Sequence, residues 1–213
     1  MPQLNRVTPY GKLFETAAKG TFMGNRGILT DKYGVLTNKR WANKSWVTCT
    51  LTRKINTKTS MDSAPVKYTK LFFLDEATAL ASGHRPCSQC RRKDFIRFFD
   101  CWLAGNDLPE ETTIQQIDTQ LHSERLSPEY HSALIDELPN GVFVAFVAEP
   151  RIPWLIWNGE LLRWQPEGYS ERRKMIAGTS VNLVTPLSTV NAIAAGYIPH
   201  VHHNKYQETS SWQ

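Results

Sequence analysis

The sequence predicts an α+β fold with two β-containing lobes joined by a central helical segment. Three observations predict it. Short runs of β-branched and aromatic residues between glycine-marked turns occur towards both ends of the 213-residue chain. Apolar residues recur at helical spacing through its middle. An acidic, proline-containing stretch, NDLPEETT (106–113), falls between the two patterns. The expected division is therefore a lobe of residues 1–105 and a lobe of residues 106–213, a length that suits one large domain or two small ones.

Residues 1–74 read as β-rich, with Gly11, Gly20, Gly24, Gly27 and Gly34 punctuating short runs such as GILT and YGVLT. SWVTCTLTRK (45–54) is a stronger strand, and KYTKLFFL (67–74) is another. Between them INTKTSMDSAP (55–65) is a polar excursion that predicts a loop. Asp75 is placed to cap a short helix, EATALAS, stopped by Gly83. Pro86 suits the first turn of a longer helix whose stripe is Phe95, Ile96, Phe98, Phe99, Trp102 and Leu103, closed by Gly105. TIQQIDTQLHSERL (113–126) predicts the central helix, with Ile114, Ile117 and Leu121 on one face. VFVAFVAE, PWLIWNG and ELLRWQPEGY then read as a meander with a hairpin turn at Asn158-Gly159. SVNLVTP predicts a further strand, and PLSTVNAIAAG a last short helix. YIPHVHHNKYQETSSWQ starts extended and ends as a polar tail.

Composition narrows the function. Twenty-three aromatic residues are ample for a core, and no apolar run approaches the 18 or more residues of a membrane helix. The start, MPQLNRVTPYGKLF, has no apolar signal-like region, so the expectation is a cytoplasmic chain with no membrane partner. The net charge of +5 is unevenly spread. Residues 1–100 hold 18 Lys+Arg against 7 Asp+Glu, whereas residues 101–213 hold 7 against 13. A half this basic is what neutralising the phosphates of a polyanion requires.

The sharpest local signal is GHRPCSQCRR (83–92). Without a secretion signal, a C-x-x-C reads as a metal or redox site before a disulfide, and no thioredoxin-like context surrounds this one. Thiols three residues apart at a helix start point the same way and favour the thiolate that Zn²⁺ binds. Cys87 and Cys90 thus predict half a zinc shell, and hence a small zinc-stabilised element in the N-terminal lobe. Cys49, on a predicted strand, is the candidate third ligand, and His84 can supply an imidazole. Cys101 lies eleven residues along the helix, roughly 16 Å from Cys90, and reads as a core cysteine.

KLFFLDEATALASGHRPCSQCRR resembles part of the zinc-binding N-terminal domain of the Ada DNA-repair family. Phe72-Phe73, Glu76-Ala77, Gly83, Arg85-Pro86-Cys87, Cys90 and Arg91 stand in that family's order. The match covers residues 45–95 if WVTC is the counterpart of the family's first cysteine strand. The resemblance implies Zn²⁺ held by cysteinates, DNA held by surrounding basic residues, and a setting in DNA repair. In that family one cysteinate accepts a methyl group from a DNA phosphotriester. The family's first pair is Cys-x-x-x-Cys, and position 53 here is Arg, so the fourth cysteinate that completes the nucleophile is missing. His84 stands in place of the family's Tyr.

The basic candidates for a nucleic-acid surface are Arg26 in the turn-like MGNRG, Arg40 and Lys44 beside Trp41 and Trp46, Arg85, and the run Arg91, Arg92, Lys93 and Arg97. Lys93 and Arg97 are four apart on a helix and share a face, and the tryptophans offer stacking platforms. The functional expectation is a zinc-binding protein that interacts with DNA, with RNA as a second candidate. Two alternatives stand beside it. One is a metal-dependent nuclease using His84, His122 or His131, with Asp118 and Glu124 nearby; the other is a non-catalytic zinc-stapled binding module. His200, His202 and His203 in HVHH form a further histidine cluster. No Walker A, GxGxxG, HExxH or GxSxG motif occurs.

Overall fold

The computed structural model describes residues 3–51, 68–127 and 130–202. The chain is mixed α+β, with two six-stranded sheets and four helices among these residues.

The first sheet has the order β2-β1-β5-β3-β4-β6. Its strands are β1 (Gln3–Val7), β2 (Leu13–Thr16), β3 (Phe22–Asn25), β4 (Val47–Thr50), β5 (Leu71–Phe73) and β6 (Arg85–Pro86). The pairs β1–β5 and β4–β6 are parallel and the rest antiparallel. Gly24 on β3 permits close packing, since a Cβ there would meet the Val47 carbonyl oxygen at 2.3 Å. The second sheet is wholly antiparallel, in the order β11-β10-β9-β8-β12-β7. It comprises β7 (Ser132–Leu134), β8 (Phe143–Phe146), β9 (Trp154–Trp157), β10 (Glu160–Gln165), β11 (Gly168–Lys174) and β12 (Ser180–Leu183). The β9–β10 hairpin turns on Asn158 and Gly159, both at positive φ (52° and 77°), as the Asn-Gly pair predicts.

The helices are α1 (Glu76–Ala81), α2 (Arg92–Gly105), α3 (Ile114–Leu126) and α4 (Leu187–Ala194). Asp75 caps α1 by accepting the Thr78 N–H, and Thr113 with Gln116 forms a capping box on α3. The largest apolar cluster lays Phe98 and Trp102 of α2, Ile117 and Leu121 of α3, and Val190 and Ile193 of α4 onto Trp154, Ile156 and Val181 of the second sheet. It draws on residues from both sides of position 105. Gly105 lets α2 approach α4, because a Cβ there would meet the Asn191 carbonyl oxygen at 2.2 Å.

Helix α1 is buried along its whole length. Ala79 packs with Val7, Leu29, Leu71 and Phe73 of the first half. Ala77 and Ala81 pack with Phe143, Leu155 and Leu162 of the second sheet. The six-residue α1, with alanines at 77, 79 and 81, is thus where the clusters of the two sheets meet.

Several sequence expectations need correction. Pro86 does not open a helix; it lies in β6 opposite Thr48, and α2 begins only at Arg92. The cysteines therefore sit on the turn before the helix and not in its first turn. GILT and YGVLT contribute one bridge, Thr30 to Leu36, in place of two strands, while QLNRV, LFET and FMGN form the ladder. The sequence did not single out β7, which is three residues long, or β11, whose exposed positions Ser170, Arg172 and Lys174 are all polar. The expected loop 55–65 and the tail from His203 onward lie outside the described residues.

Candidate metal centre

Cys49, Cys87 and Cys90 come together, with their three sulfur atoms within 4.8 Å of one another. Strand register causes it. The parallel pairing sets Val47 opposite Arg85 and Thr48 opposite Pro86, so Cys49 and Cys87 follow as the next neighbours. The Cys87 N–H continues the ladder by donating to the Thr48 carbonyl at 2.9 Å. The chain then turns back, with the Arg91 N–H donating to the Cys87 carbonyl at 3.0 Å, and this turn returns Cys90 to the same spot.

Backbone N–H groups of Cys90 and Gln89 donate to the Cys87 sulfur, and the Thr50 N–H donates to that of Cys90. This amide-to-sulfur bonding favours thiolate. Hydrogen bonds from the Cys49 and Cys90 thiols are the larger cause, and with these amides they outweigh burial and hold Cys87 well below the usual thiol range. Cys49 is pushed up by its hydrogen bonds to Cys87 and Cys90, and by burial. At Cys90 the bond with Cys49 acts downward, but the bond with Cys87 and burial outweigh it. A cation among the three sulfurs would favour the thiolate at each of them.

The donor set fits a soft divalent cation. Three thiolates suit Zn²⁺, whose 2.3 Å bonds in a tetrahedral shell need sulfurs about 3.8 Å apart. All three cysteines are half-buried, so the group is reachable from solvent. It is the one such cluster of potential ligands among the described residues.

His84 does not join the sulfurs. Its Nε2 accepts from the Arg26 Nε at 3.3 Å, and its Nδ1 lies 2.9 Å from the Ser82 Oγ. That hydroxyl already donates to the Ala79 carbonyl, so Nδ1 carries the proton and the ring is neutral. Burial, with Arg26 and Arg125 nearby, lowers its pKa well below the ordinary histidine value. Phe73 and Trp46 pack against the ring at 4.7 and 5.2 Å. Cys101 packs half-buried against the main core, as its helical position predicts.

The basic residues divide sharply. Arg85 lies buried in a two-pronged ion pair with Asp118 of α3, at 2.7 and 2.8 Å, and also reaches the Ser45 Oγ. Arg91 lies buried against Glu76 at 2.7 Å and Asp94 at 2.8 Å. One arginine thus clamps each side of the C-x-x-C, and neither faces solvent. Arg26 is buried too, behind the turn it was expected to expose. Arg40, Lys44, Arg92, Lys93 and Arg97 are exposed. Lys93 and Arg97 do share an outer face of α2, beginning three residues after Cys90.

The histidines are dispersed. His122 packs edge-on to Trp41 at 5.1 Å, and Asp118 beside it is committed to Arg85. His131 lines a cleft elsewhere. The backbone of His200 accepts from the Glu76 and Ala77 N–H groups, closing the start of α1.

Sequence reasoning missed the residues that anchor this arrangement. Glu76 accepts from Arg91, the Tyr197 hydroxyl (2.6 Å) and the His200 N–H. Asp75 accepts from the Tyr169 hydroxyl (2.6 Å) and the His202 N–H. A buried carboxylate pair carries no local motif that gives it a role; the signals were the capping position of Asp75 and the place of Glu76 in the Ada-like order. No helix among the described residues is long and apolar enough to cross a membrane. No family model, curated protein or solved structure matches this chain.

Proposed function

We propose that this protein binds one Zn²⁺ through Cys49, Cys87 and Cys90 and uses the basic surface beside that centre to hold DNA by its phosphates. The observation that carries the reading is the convergence of three sulfurs from two chain segments onto a turn already supplied with amide donors. Arg92, Lys93 and Arg97 stand exposed on the helix that leaves the turn, where a phosphate backbone can reach them. The Ada-like order of residues supports a place in DNA repair or another DNA transaction. RNA offers the same phosphate charge and is the competitor in the test.

The metal's role in this reading is structural. The Cys87 sulfur accepts two backbone N–H bonds, which hold it in place and withdraw charge from it. Position 53 carries no cysteine, so the four-thiolate methyl acceptor of the resembled family is not assembled. The non-catalytic module is therefore favoured over the nuclease, whose histidines are not gathered.

The test is fluorescence anisotropy of labelled duplex DNA and of RNA with the zinc-loaded chain, over a series of salt concentrations. Affinity for DNA that falls steeply with salt, and exceeds that for RNA, is expected. No binding at low salt, or binding indifferent to salt, would remove the nucleic-acid part of the reading.

A further inference from the structure

A cleft of about 660 Å³ opens away from the cysteines, none of which lines it. The β1–β2 turn forms one wall and the end of α3 another. Its size is that of small-ligand pockets generally. Four cationic side chains line it (Lys12, Arg40, Arg125 and Arg151) against one carboxylate, Glu124. The carboxylate is engaged, because its Oε2 accepts from the Ser188 hydroxyl at 2.8 Å and from the Ser188 N–H.

Two arginines here are set apart from the others in the protein. The guanidinium carbons of Arg26 and Arg125 lie 4.0 and 4.2 Å from the Trp46 ring centroid. Among the described residues neither forms an ion pair, unlike Arg85 and Arg91. The Arg125 Nη1 and Nη2 make 3.3 Å bonds to the Lys44 carbonyl, and its buried Nε has no partner. Arg26, 2% exposed, donates to the Gly11 carbonyl and to His84, leaving its Nη2 without a partner. That Nη2 sits behind Gly11, which lines the cleft: a Cβ on Gly11 would lie 3.5 Å from it. Burial, together with mutual repulsion, pushes the pKa of Arg26 down to about 9. Burial pushes that of Arg125 down to about 9 as well, with Asp118 and Glu124 opposing the shift and Arg85 adding to it, and neither carboxylate pairs with it directly. Buried charge without a counter-ion is unfavourable, and an anion in the cleft would relieve it.

We propose that this cleft binds the terminal phosphate of a nucleotide-sized ligand, with Arg125 as its main contact and Lys12 and Arg40 at the mouth. Tyr10 and Tyr130 on the same walls offer flat faces for a base. The phosphate can come from a free mononucleotide or from the 5′ end of a nucleic-acid strand. The site stands whether or not the cysteine centre holds zinc.

The test is calorimetric titration and thermal melting of the full chain with inorganic phosphate, AMP, and one oligonucleotide carrying either a 5′-phosphate or a 5′-hydroxyl. Ionic strength is matched with chloride. Phosphate and AMP should raise the melting temperature where chloride does not, and AMP should bind at least about tenfold tighter than phosphate. A tenfold preference for the 5′-phosphorylated oligonucleotide would identify a strand end as the source. AMP binding without that preference would identify a free nucleotide. Arg125→Gln should abolish the response. Lys12→Gln, at an exposed position where folding is not at stake, should weaken it several-fold. No response to phosphate or AMP beyond that to chloride would overturn the proposal, as would unchanged affinity in both Lys12→Gln and a folded Arg125→Gln. Repeating the titration with Cys87→Ser separates this site from the metal reading, since its affinity should survive loss of the metal.

Discussion

The Thr48 carbonyl accepts the Cys87 N–H at 2.9 Å, and together with the Arg85 N–H donating to the Trp46 carbonyl at 3.1 Å it holds the register that brings Cys49 to the C-x-x-C turn. A slip of one residue would turn Cys49 to the other face of the sheet, since strand side chains alternate. The metal centre therefore depends on a two-residue strand. What keeps that strand in place is the pair of buried clamps, Arg85 with Asp118 and Arg91 with Glu76.

The Arg91–Glu76 clamp gives the clearest stability prediction. Glu76 is fully buried and satisfies Arg91, the Tyr197 hydroxyl and the His200 N–H together. Glu76→Ala leaves the buried Arg91 guanidinium with Asp94 alone and strips the Tyr197 hydroxyl and the His200 N–H of their acceptor, and should cost about 3–5 kcal/mol in urea unfolding. Exposed Arg92→Ala, next in the chain to Arg91, should change stability by less than about 0.5 kcal/mol. Equal effects from both would show that the clamp is not the anchor described.

His84 sets a pH dependence whose sign is fixed by its environment. Burial beside Arg26 and Arg125 keeps the ring neutral in the folded state, whereas the unfolded chain protonates it near pH 6.5. Below that pH the unfolded state binds the extra proton, so stability falls as pH falls, by up to about 1.4 kcal/mol per pH unit. Above about pH 7 the contribution is flat. His84→Gln should reduce the slope between pH 6.5 and 5, measured as urea stability against pH. An unchanged slope would place the titrating group elsewhere.

The outer face of α2 yields a prediction about salt. If Arg92, Lys93 and Arg97 contact phosphates, replacing each with Gln should lower the slope of log affinity against log salt by roughly 0.9 for duplex DNA. The triple variant should lose most of the DNA affinity and remain folded, because all three side chains are exposed. A triple variant with the parent's affinity would move the contact surface elsewhere, to Arg40 and Lys44 in the first instance.

Much of this was legible in the sequence where one local rule dominates. The Asn158-Gly159 turn, the central helix from Ile114 and the Asp75 cap all sit where residue chemistry places them. The thiol pair and its third partner were legible too, since few residue types bind soft metals. The fates of Arg26, Arg85 and Arg91 were not. A charged side chain looks the same on paper whether it meets solvent or a carboxylate brought from a distant segment, and Asp118 lies 33 residues from Arg85. Strand β11 was missed for the opposite reason, because an edge strand with one solvated side has too few apolar residues to show its period. Pro86 misled because its fixed φ suits a strand edge as well as a helix start.

Cys49, Cys87 and Cys90, from two chain segments, are expected to hold one metal ion. Metal content by mass spectrometry, on the protein loaded with zinc and dialysed, tests it most directly. The comparison is the parent chain with Cys49→Ser, Cys87→Ser and Cys101→Ser. One zinc per chain is expected in the parent and in Cys101→Ser, with loss from Cys49→Ser and Cys87→Ser. At a thousandfold excess over its Kd the metal stabilises by about 4 kcal/mol, so the two depleted variants should melt roughly 8–16 °C lower. Zinc retained at full stoichiometry in Cys49→Ser, or no zinc in the parent, would contradict the account.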